Sequence, residues 1–94
     1  MNVSSDAFAD SLQRRVESKI RAVLGTLLPP SPVALPGSEL LTRHGMDSLM
    51  ATELSCVLSD TFGLALSPTI AFDFPTLDAL AARVAELAAG RAAA

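Results

Sequence analysis

The spacing of the apolar residues constrains this 94-residue chain most, because in three segments they recur at every third or fourth position. Such a period places apolar side chains on one face of an α-helix. The first segment contributes Phe8, Leu12, Val16, Ile20, Val23 and Leu27. The second contributes Ala51, Leu54, Leu58 and Phe62, and the third Leu77, Leu80, Ala81, Val84, Leu87 and Ala88. We therefore predict three amphipathic helices that bury these faces against one another.

Glycine and proline mark where the first helix ends. Gly25 suits the left-handed conformation of a C-terminal cap, and residues 29–37 read PPSPVALPG, with four prolines. Because a helix interior does not tolerate proline, we predict that the first helix ends near residues 24–28. The connection that follows, as far as Met46, has no clear period and is long for a compact domain. We expect three leucines to pin this loop to the core, namely Leu35, Leu40 and Leu41.

Cap residues define the last two helices. Ser67 as N-cap and Pro68 at the first helical position predict a third helix, which is short because Pro75 follows soon after. Thr76 is predicted to cap the fourth helix, with Asp78 in its first turn, where a carboxylate complements the helix dipole.

These patterns predict an all-α fold, a small four-helix bundle with three longer helices, one short helix and a long first loop. Half of the residues are hydrophobic, mostly Ala and Leu, with no Tyr or Trp, which favours helices over strands. We expect residues 6–89 to form the domain, residues 1–5 to be a disordered N-terminus or linker, and residues 90–94 to be an Ala-rich tail or linker.

Composition and charge exclude several classes of function. The net charge of −3 is concentrated in residues 39–80, which sum to −5 and disfavour nucleic-acid binding. Neither a membrane-spanning apolar run nor a signal peptide is visible, so we expect a soluble, cytoplasmic protein that does not bind membranes. One cysteine, Cys56, and one histidine, His44, are too few for an intrachain disulfide or a tetrahedral metal site.

Ser48 in the stretch HGMDSLMATEL allows three interpretations. Asp47 or Ser48 begins the second helix, which Gly63 is placed to terminate, so Ser48 is first a candidate helix cap. A catalytic serine needs a base, and His44, four residues earlier, is the single histidine; the G-x-S-x-G elbow is missing. In the third interpretation, another enzyme modifies an exposed hydroxyl at the positive end of the helix dipole.

The motifs around Ser48 resemble a known family. GMDSL, followed by TEL and then by FGLALSPTIAFDFPTLDALA, is similar to the acyl carrier proteins, and most similar to the carrier domains of type I polyketide synthases. The resemblance runs from about Leu40 to Leu87. It implies that Ser48 carries 4′-phosphopantetheine, with Asp47 and Leu49 as flanking recognition residues. The implied protein performs no catalysis itself.

The resemblance also implies partners. A phosphopantetheinyl transferase would load the arm from coenzyme A, and ketosynthase, acyltransferase and other synthase domains would act on its acyl groups. On the second helix Leu49, Thr52 and Cys56 form a stripe offset from the core positions. We expect the docking residues to be Met50, Thr52, Glu53, Cys56, Asp60 and Ile70.

Further expectations concern burial near this surface. Phe72 and Phe74 should close the core while Asp73 stays at the surface, and Cys56 should be buried or half-buried as a small hydrophobe. By resemblance, Thr69 and Ile70 border the arm.

Departures from related carriers refine the assignment. The second helix has only Glu53 and Asp60 as acidic residues, fewer than discrete fatty-acid carriers have, and GMDS replaces the GG-x-S of nonribosomal peptide carriers. Many polyketide carriers have an arginine where Ser55 and Cys56 stand. The alternatives are a discrete acyl carrier protein of fatty acid or related metabolism and a helical interaction domain that carries no arm.

Overall fold

The computed structural model describes residues 3–29 and 34–93, with side chains described from residue 10 to residue 91 of these ranges. Within them lie four α-helices, a single 3₁₀ turn at Leu41–His44 and no strand. The α-helices are α1 (Val3–Leu27), α2 (Ser48–Phe62), α3 (Ile70–Asp73) and α4 (Leu77–Ala93). The predicted all-α fold with three longer helices and one short helix is therefore confirmed. None of the described helices is both long and apolar enough to cross a membrane.

The core lies where α1 packs against α4 and where α2 packs against α1 and α3. The predicted apolar stripes supply most of the core, since residues one helical turn apart lie on the same face of the helix. Its largest fully buried side chains are Val16, Ile20, Leu24, Leu41, Leu54, Leu58, Leu77, Leu80 and Val84.

The first helix ends within the predicted range, but Gly25 does not cap it. The helix continues through Gly25 to Leu27, and among the described glycines only Gly45 and Gly63 have positive φ. Leu24 joins the core in place of Val23, which is half-buried. The side chain of Phe8, predicted to start the stripe, lies outside the described residues.

Helical structure extends into both segments expected to be tails or linkers. The first helix begins at Val3 and the fourth runs through Gly90 to Ala93. No proline interrupts either segment, and the C-terminal segment is rich in alanine, which has the highest helix propensity, so α4 can propagate past its buried stripe. Residues 1, 2 and 94 lie outside the described residues.

The first loop is held by its backbone more than by the three expected leucines. Leu41 is fully buried and Leu35 half-buried, but Leu40 is 42% exposed, so the prediction for Leu40 is wrong. Leu41 N donates to Pro75 O at 2.8 Å, and Leu40 pairs with Thr76 in an isolated antiparallel bridge. These contacts direct one of the two adjacent leucines into the core and leave the other at the surface.

The predicted end of α2 at Gly63 and the predicted start of α4 at Thr76 are confirmed. Gly63 is left-handed at φ 65° and ends α2, while Thr76 Oγ1 accepts from Ala79 N at 3.1 Å at the start of α4. Ser67 is not the cap of α3, because α3 begins three residues later. Its hydroxyl instead accepts from Thr69 N at 3.2 Å in the preceding turn.

Candidate functional site

The first turn of α2 assigns different roles to Asp47 and Ser48. Asp47 has an extended backbone, and its Oδ1 accepts from Met50 N at 2.9 Å. Its carbonyl oxygen also accepts from Ala51 N at 2.9 Å, the first bond of the helix. Asp47 is therefore the N-cap, and Ser48 is the first residue of the helix proper.

The hydroxyl of Ser48 is left free by this arrangement. Ser48 is exposed, and its carbonyl oxygen accepts from Thr52 Oγ1 at 2.9 Å. Within the part of the chain that the structure describes, its hydroxyl has no hydrogen-bond partner. The cap interpretation therefore applies to Asp47, and Ser48 is exposed and takes no part in the cap.

Buried residues on the N-terminal side hold this exposed turn in place. Leu41 is 0% and Met46 4% exposed, and Met46 N donates to Leu41 O at 3.3 Å. Between them Gly45 has φ 102°, where a side chain is strained, and an added Cβ would lie 3.2 Å from Pro29 Cδ. Asp47, the next residue, then emerges at the surface.

His44 is hydrogen-bonded to a carboxylate of the loop and not to Ser48. Its Nε2 lies 2.8 Å from Glu39 Oε1, so its bonding partner is the loop carboxylate. His44 ends the 3₁₀ turn and is half-buried. The two-residue unit that a hydrolase would need is not assembled here.

The outer face of α2 carries most of the residues expected to dock. Leu49 is 68% exposed. The other exposed positions of this face are Thr52, Glu53, Cys56 and Asp60. Met50 is half-buried and packs against the core. We refer to Leu49, Thr52, Glu53, Cys56 and Asp60 as the α2 face.

The expectation that Cys56 is buried or half-buried is wrong. The thiol is exposed, because Leu54 and Leu58, on either side of it in sequence, both turn toward the core. Position 56 then falls on the opposite side of the helix. Ser55, the residue before it, is buried instead, and its hydroxyl donates to Thr52 O at 2.8 Å.

The orientation of α3 contradicts two further expectations. Ile70 is 5% exposed and Ala71 0%, whereas Phe72 is 41% exposed. Ile70 is thus a core residue rather than a docking residue, and Phe72 does not close the core. Because α3 is a single turn with two adjacent residues facing the core, the residue after them faces solvent. Phe74 is half-buried and packs against the core, with the Arg83 guanidinium 5.8 Å from its ring centre.

The acidic residues between positions 47 and 78 form no ion pair in the described part of the chain. The four ion pairs among the described residues are Asp10–Arg14, Glu17–Arg21, Glu39–His44 and Glu86–Arg83. The five acids between residues 47 and 78 take part in none of them. Within the part of the chain that the structure describes, no basic side chain forms an ion pair with these five acids.

Known proteins share this sequence pattern. The family model described as the phosphopantetheine attachment site matches residues 14–84. A pikromycin polyketide synthase component of Streptomyces venezuelae is 41% identical over 70 residues, 73% of this chain. The mycoketide-CoA synthase of Mycobacterium tuberculosis is 44% identical over 66 residues, 70% of this chain. The chain spans about 2% of the length of each of these two relatives.

Solved structures share the fold. A free-standing peptidyl carrier protein from Acinetobacter baumannii superposes with a TM-score of 0.71 at 32% identity, covering 80% of this chain and 95% of its own. The HMG-ACPI domain of the CurA module from Lyngbya majuscula superposes with a TM-score of 0.67 at 18% identity, covering 89% of this chain and 81% of its own.

The second likeness concerns the fold alone, whereas the family match and the polyketide synthase relatives concern the sequence around the exposed serine as well. The chain therefore belongs to the phosphopantetheine attachment site family, whose cofactor is covalently attached 4′-phosphopantetheine, and is a carrier domain of the kind found in polyketide synthases.

Proposed function

We propose that Ser48 is the residue that carries the 4′-phosphopantetheine arm. The observation that supports this assignment most directly is the division of roles in the first turn of α2. Asp47 accepts the capping hydrogen bond at 2.9 Å, so the exposed Ser48 hydroxyl makes no contribution to the cap. A modification at Ser48 then leaves the helix intact.

The surroundings of Ser48 fit a phosphodiester. In the first turn of a helix the N–H groups of Ser48 and Leu49 have no acceptor within the helix. The positive end of the dipole of the 15-residue α2 lies at the same place and stabilises a nearby negative charge. The terminal thiol of the arm supplies the chemistry, which is the holding of acyl groups as thioesters.

The α2 face is the proposed docking surface. Leu49, 68% exposed, offers an apolar contact next to the attachment point. Glu53 and Asp60, exposed and outside the ion pairs of the described residues, favour a partner with basic side chains around an apolar pocket. We propose the phosphopantetheinyl transferase and the ketosynthase and acyltransferase domains as such partners.

Within a synthase, the chain would present acyl groups to successive catalytic domains without catalysing a reaction itself. Tethering raises the effective concentration of a bound substrate at each active site. The proposed domain covers residues 6–89, since the family match spans 14–84. We propose a cytoplasmic location, where coenzyme A and the synthase domains would meet it.

Intact-mass spectrometry tests the assignment of Ser48. The purified chain is incubated with coenzyme A and a broad-specificity phosphopantetheinyl transferase, alongside Ser48→Ala and the control Ser38→Ala, which removes another exposed serine. The unchanged chain and Ser38→Ala should each gain one arm, whereas Ser48→Ala should gain none and keep its helical circular dichroism. Loading of Ser48→Ala, or no loading of the unchanged chain, would contradict the proposal.

A further inference from the structure

Arg43 is an isolated cation in an acidic part of the chain. Of the seven lysines and arginines, it alone lies between residues 22 and 82. The segment around it, residues 39–80, has six acidic residues and sums to −5. Arg43 is exposed on the 3₁₀ turn, and the chain reaches Ser48 five residues later. It is therefore the basic residue nearest to Ser48 along the sequence.

The acids nearest to Arg43 in sequence are bonded elsewhere. Glu39 and Asp47 are each four residues from Arg43. Glu39 Oε1 lies 2.8 Å from His44 Nε2, and Asp47 Oδ1 accepts the capping hydrogen bond at 2.9 Å. Residues 30–33 read PSPV and contain no charged side chain. Within the described part of the chain, the Arg43 guanidinium forms no ion pair.

The turn that bears Arg43 is fixed close to Ser48. Leu41, at the start of this turn, is fully buried, and Met46 N donates to Leu41 O at 3.3 Å. Five residues span at most about 18 Å when fully extended, and this hydrogen bond folds the segment back, so the two Cα atoms lie closer than that. Because both residues are exposed, a guanidinium and a phosphodiester that extend from them can meet at the surface.

The charges on the other side of Ser48 are acidic. Asp47 adjoins it, and Glu53 follows five residues later, exposed and outside the ion pairs of the described residues. A phosphodiester on Ser48 is itself negative, so these carboxylates repel it and Arg43 attracts it. A guanidinium also matches a phosphate group with two parallel hydrogen bonds. The charge distribution thus favours a phosphodiester over the 3₁₀ turn rather than over the α2 face.

We propose that Arg43 binds the phosphodiester of the arm and so positions the arm, an inference that rests on the proposed role of Ser48. The contact holds the first atoms of the arm beside the 3₁₀ turn, while the remainder of the arm, with its thiol, stays free to move. It also keeps the α2 face uncovered for a docking partner. Arg43 is a positioning residue and takes no part in the holding of acyl groups.

Three substitutions isolate this contact. Arg43→Gln removes the charge but keeps the backbone N–H of residue 43, which donates to Leu40 O at 3.1 Å, so the turn should persist. Arg43→Lys keeps a positive charge without the planar fork of the guanidinium. Arg15→Gln is the matched control, because Arg15 is also an exposed arginine outside the ion pairs of the described residues, but it lies on α1.

NMR of the loaded chain measures the contact. The unchanged chain and the three variants are loaded from coenzyme A by a broad-specificity phosphopantetheinyl transferase, and intact mass verifies the loading. In the unchanged chain, loading should shift the ¹⁵Nε–¹Hε signal of Arg43 at low salt, and high salt should reduce this shift by screening. The ³¹P signal of the arm should move in Arg43→Gln, move less in Arg43→Lys and stay in place in Arg15→Gln.

Several results would overturn the inference while leaving Ser48 as the attachment point. One is an Arg43 signal that loading does not shift, or that the same concentration of inorganic phosphate shifts equally in the unloaded chain. Another is a ³¹P signal that is the same in the unchanged chain and in Arg43→Gln, or that moves equally in Arg15→Gln. If Arg43→Gln fails to load, the Arg43 signal of the unchanged chain still decides. Failure of the unchanged chain to load would contradict the proposed function as well, and the mass spectrum identifies that case.

Discussion

The pair of helices α1 and α4 differs from the outer face of α2 in how it uses charge and apolar surface. On α1 and α4, Asp10, Glu17 and Glu86 each pair with an arginine of the same helix. On the α2 face, Glu53 and Asp60 belong to none of the ion pairs among the described residues. Among the described residues, Val16, Ile20 and Leu24 of α1 and Leu77, Leu80 and Val84 of α4 turn inward, whereas Leu49 of α2 is 68% exposed.

This difference separates stability from recognition. Burial of apolar side chains is the main favourable term in folding, and it is concentrated where α1, α4 and the inner side of α2 meet. Exposed ion pairs on one helix contribute little, and they also cancel the field of their own charges. Unpaired acidic side chains do not stabilise the fold to a comparable extent. Their electric field, however, extends into solvent for about a Debye length and can attract a basic partner.

The largest expected effect comes from two leucines on opposite sides of α2. Leu54 is 0% and Leu49 68% exposed. Leu54→Ala should lower the free energy of unfolding by about 2–5 kcal/mol, because it leaves a cavity in the core. Leu49→Ala should stay within about 0.5 kcal/mol of the unchanged chain. Urea unfolding of both variants measures this contrast, and equal costs would show that the two sides of α2 do not differ as described.

Gly45 should be the next most sensitive position. Its φ of 102° is unfavourable for any side chain, so Gly45→Ala should cost about 1–3 kcal/mol in the free energy of unfolding. Gly90→Ala, in an exposed helical position, should instead gain up to about 1 kcal/mol. Thermal melting compares the two, and a neutral Gly45→Ala would mean that the turn before Ser48 is not held in the left-handed conformation.

The neighbouring residues Asp47 and Ser48 should separate capping from loading. Asp47→Ala removes the side-chain acceptor for Met50 N and should cost about 0.5–2 kcal/mol in the free energy of unfolding. Ser48→Ala should cost less than Asp47→Ala and yet abolish loading. Chemical unfolding and intact mass are measured on both variants. A larger loss of stability for Ser48→Ala than for Asp47→Ala would contradict the assignment of Asp47 as the cap.

The smallest effect on stability is expected for the acids of the α2 face. The double variant Glu53→Gln and Asp60→Asn should unfold within about 0.5 kcal/mol of the unchanged chain. Its association with a phosphopantetheinyl transferase should slow by roughly two- to tenfold at low salt and converge with the unchanged chain at high salt.

Glu17→Gln is the control for this double variant, since Glu17 pairs with Arg21 on α1. It should lose about 0.3–0.5 kcal/mol of stability and leave the association rate unchanged. Stopped-flow fluorescence at two ionic strengths measures the rates. An equal slowing by Glu17→Gln would mean that net charge, rather than the α2 face, governs encounter.

Much of the site was predictable from a few adjacent residues. The Asp-Ser-Leu stretch placed Ser48 at a helix start, and the caps at Thr76 and Gly63 were confirmed, since each depends on hydrogen bonds within one turn. The choice between Asp47 and Ser48 as cap was not predictable. Both side chains suit the position, and the backbone conformation of Asp47 decides between them.

The wrong predictions share a different cause. Ile70 and Phe72 are both large and apolar, and the neighbouring sequence does not indicate which of them a one-turn helix directs into the core. Leu40 and Leu41 present the same choice in the first loop, where hydrogen bonding of Leu41 N to Pro75 O selects Leu41. Gly25 is compatible with a cap or with a helix interior, and here α1 continues through it to Leu27.

The sequence by itself determined the helices, most of their ends and the exposed serine, because spacing and capping act over three or four residues. Only the tertiary structure decided which side of α3 and of the first loop faces the core, because that depends on contacts between segments far apart in the chain. The same packing left Cys56 and Leu49 outside. Local spacing shows where apolar residues lie along a helix, but which of them are buried depends on the segments that pack against them.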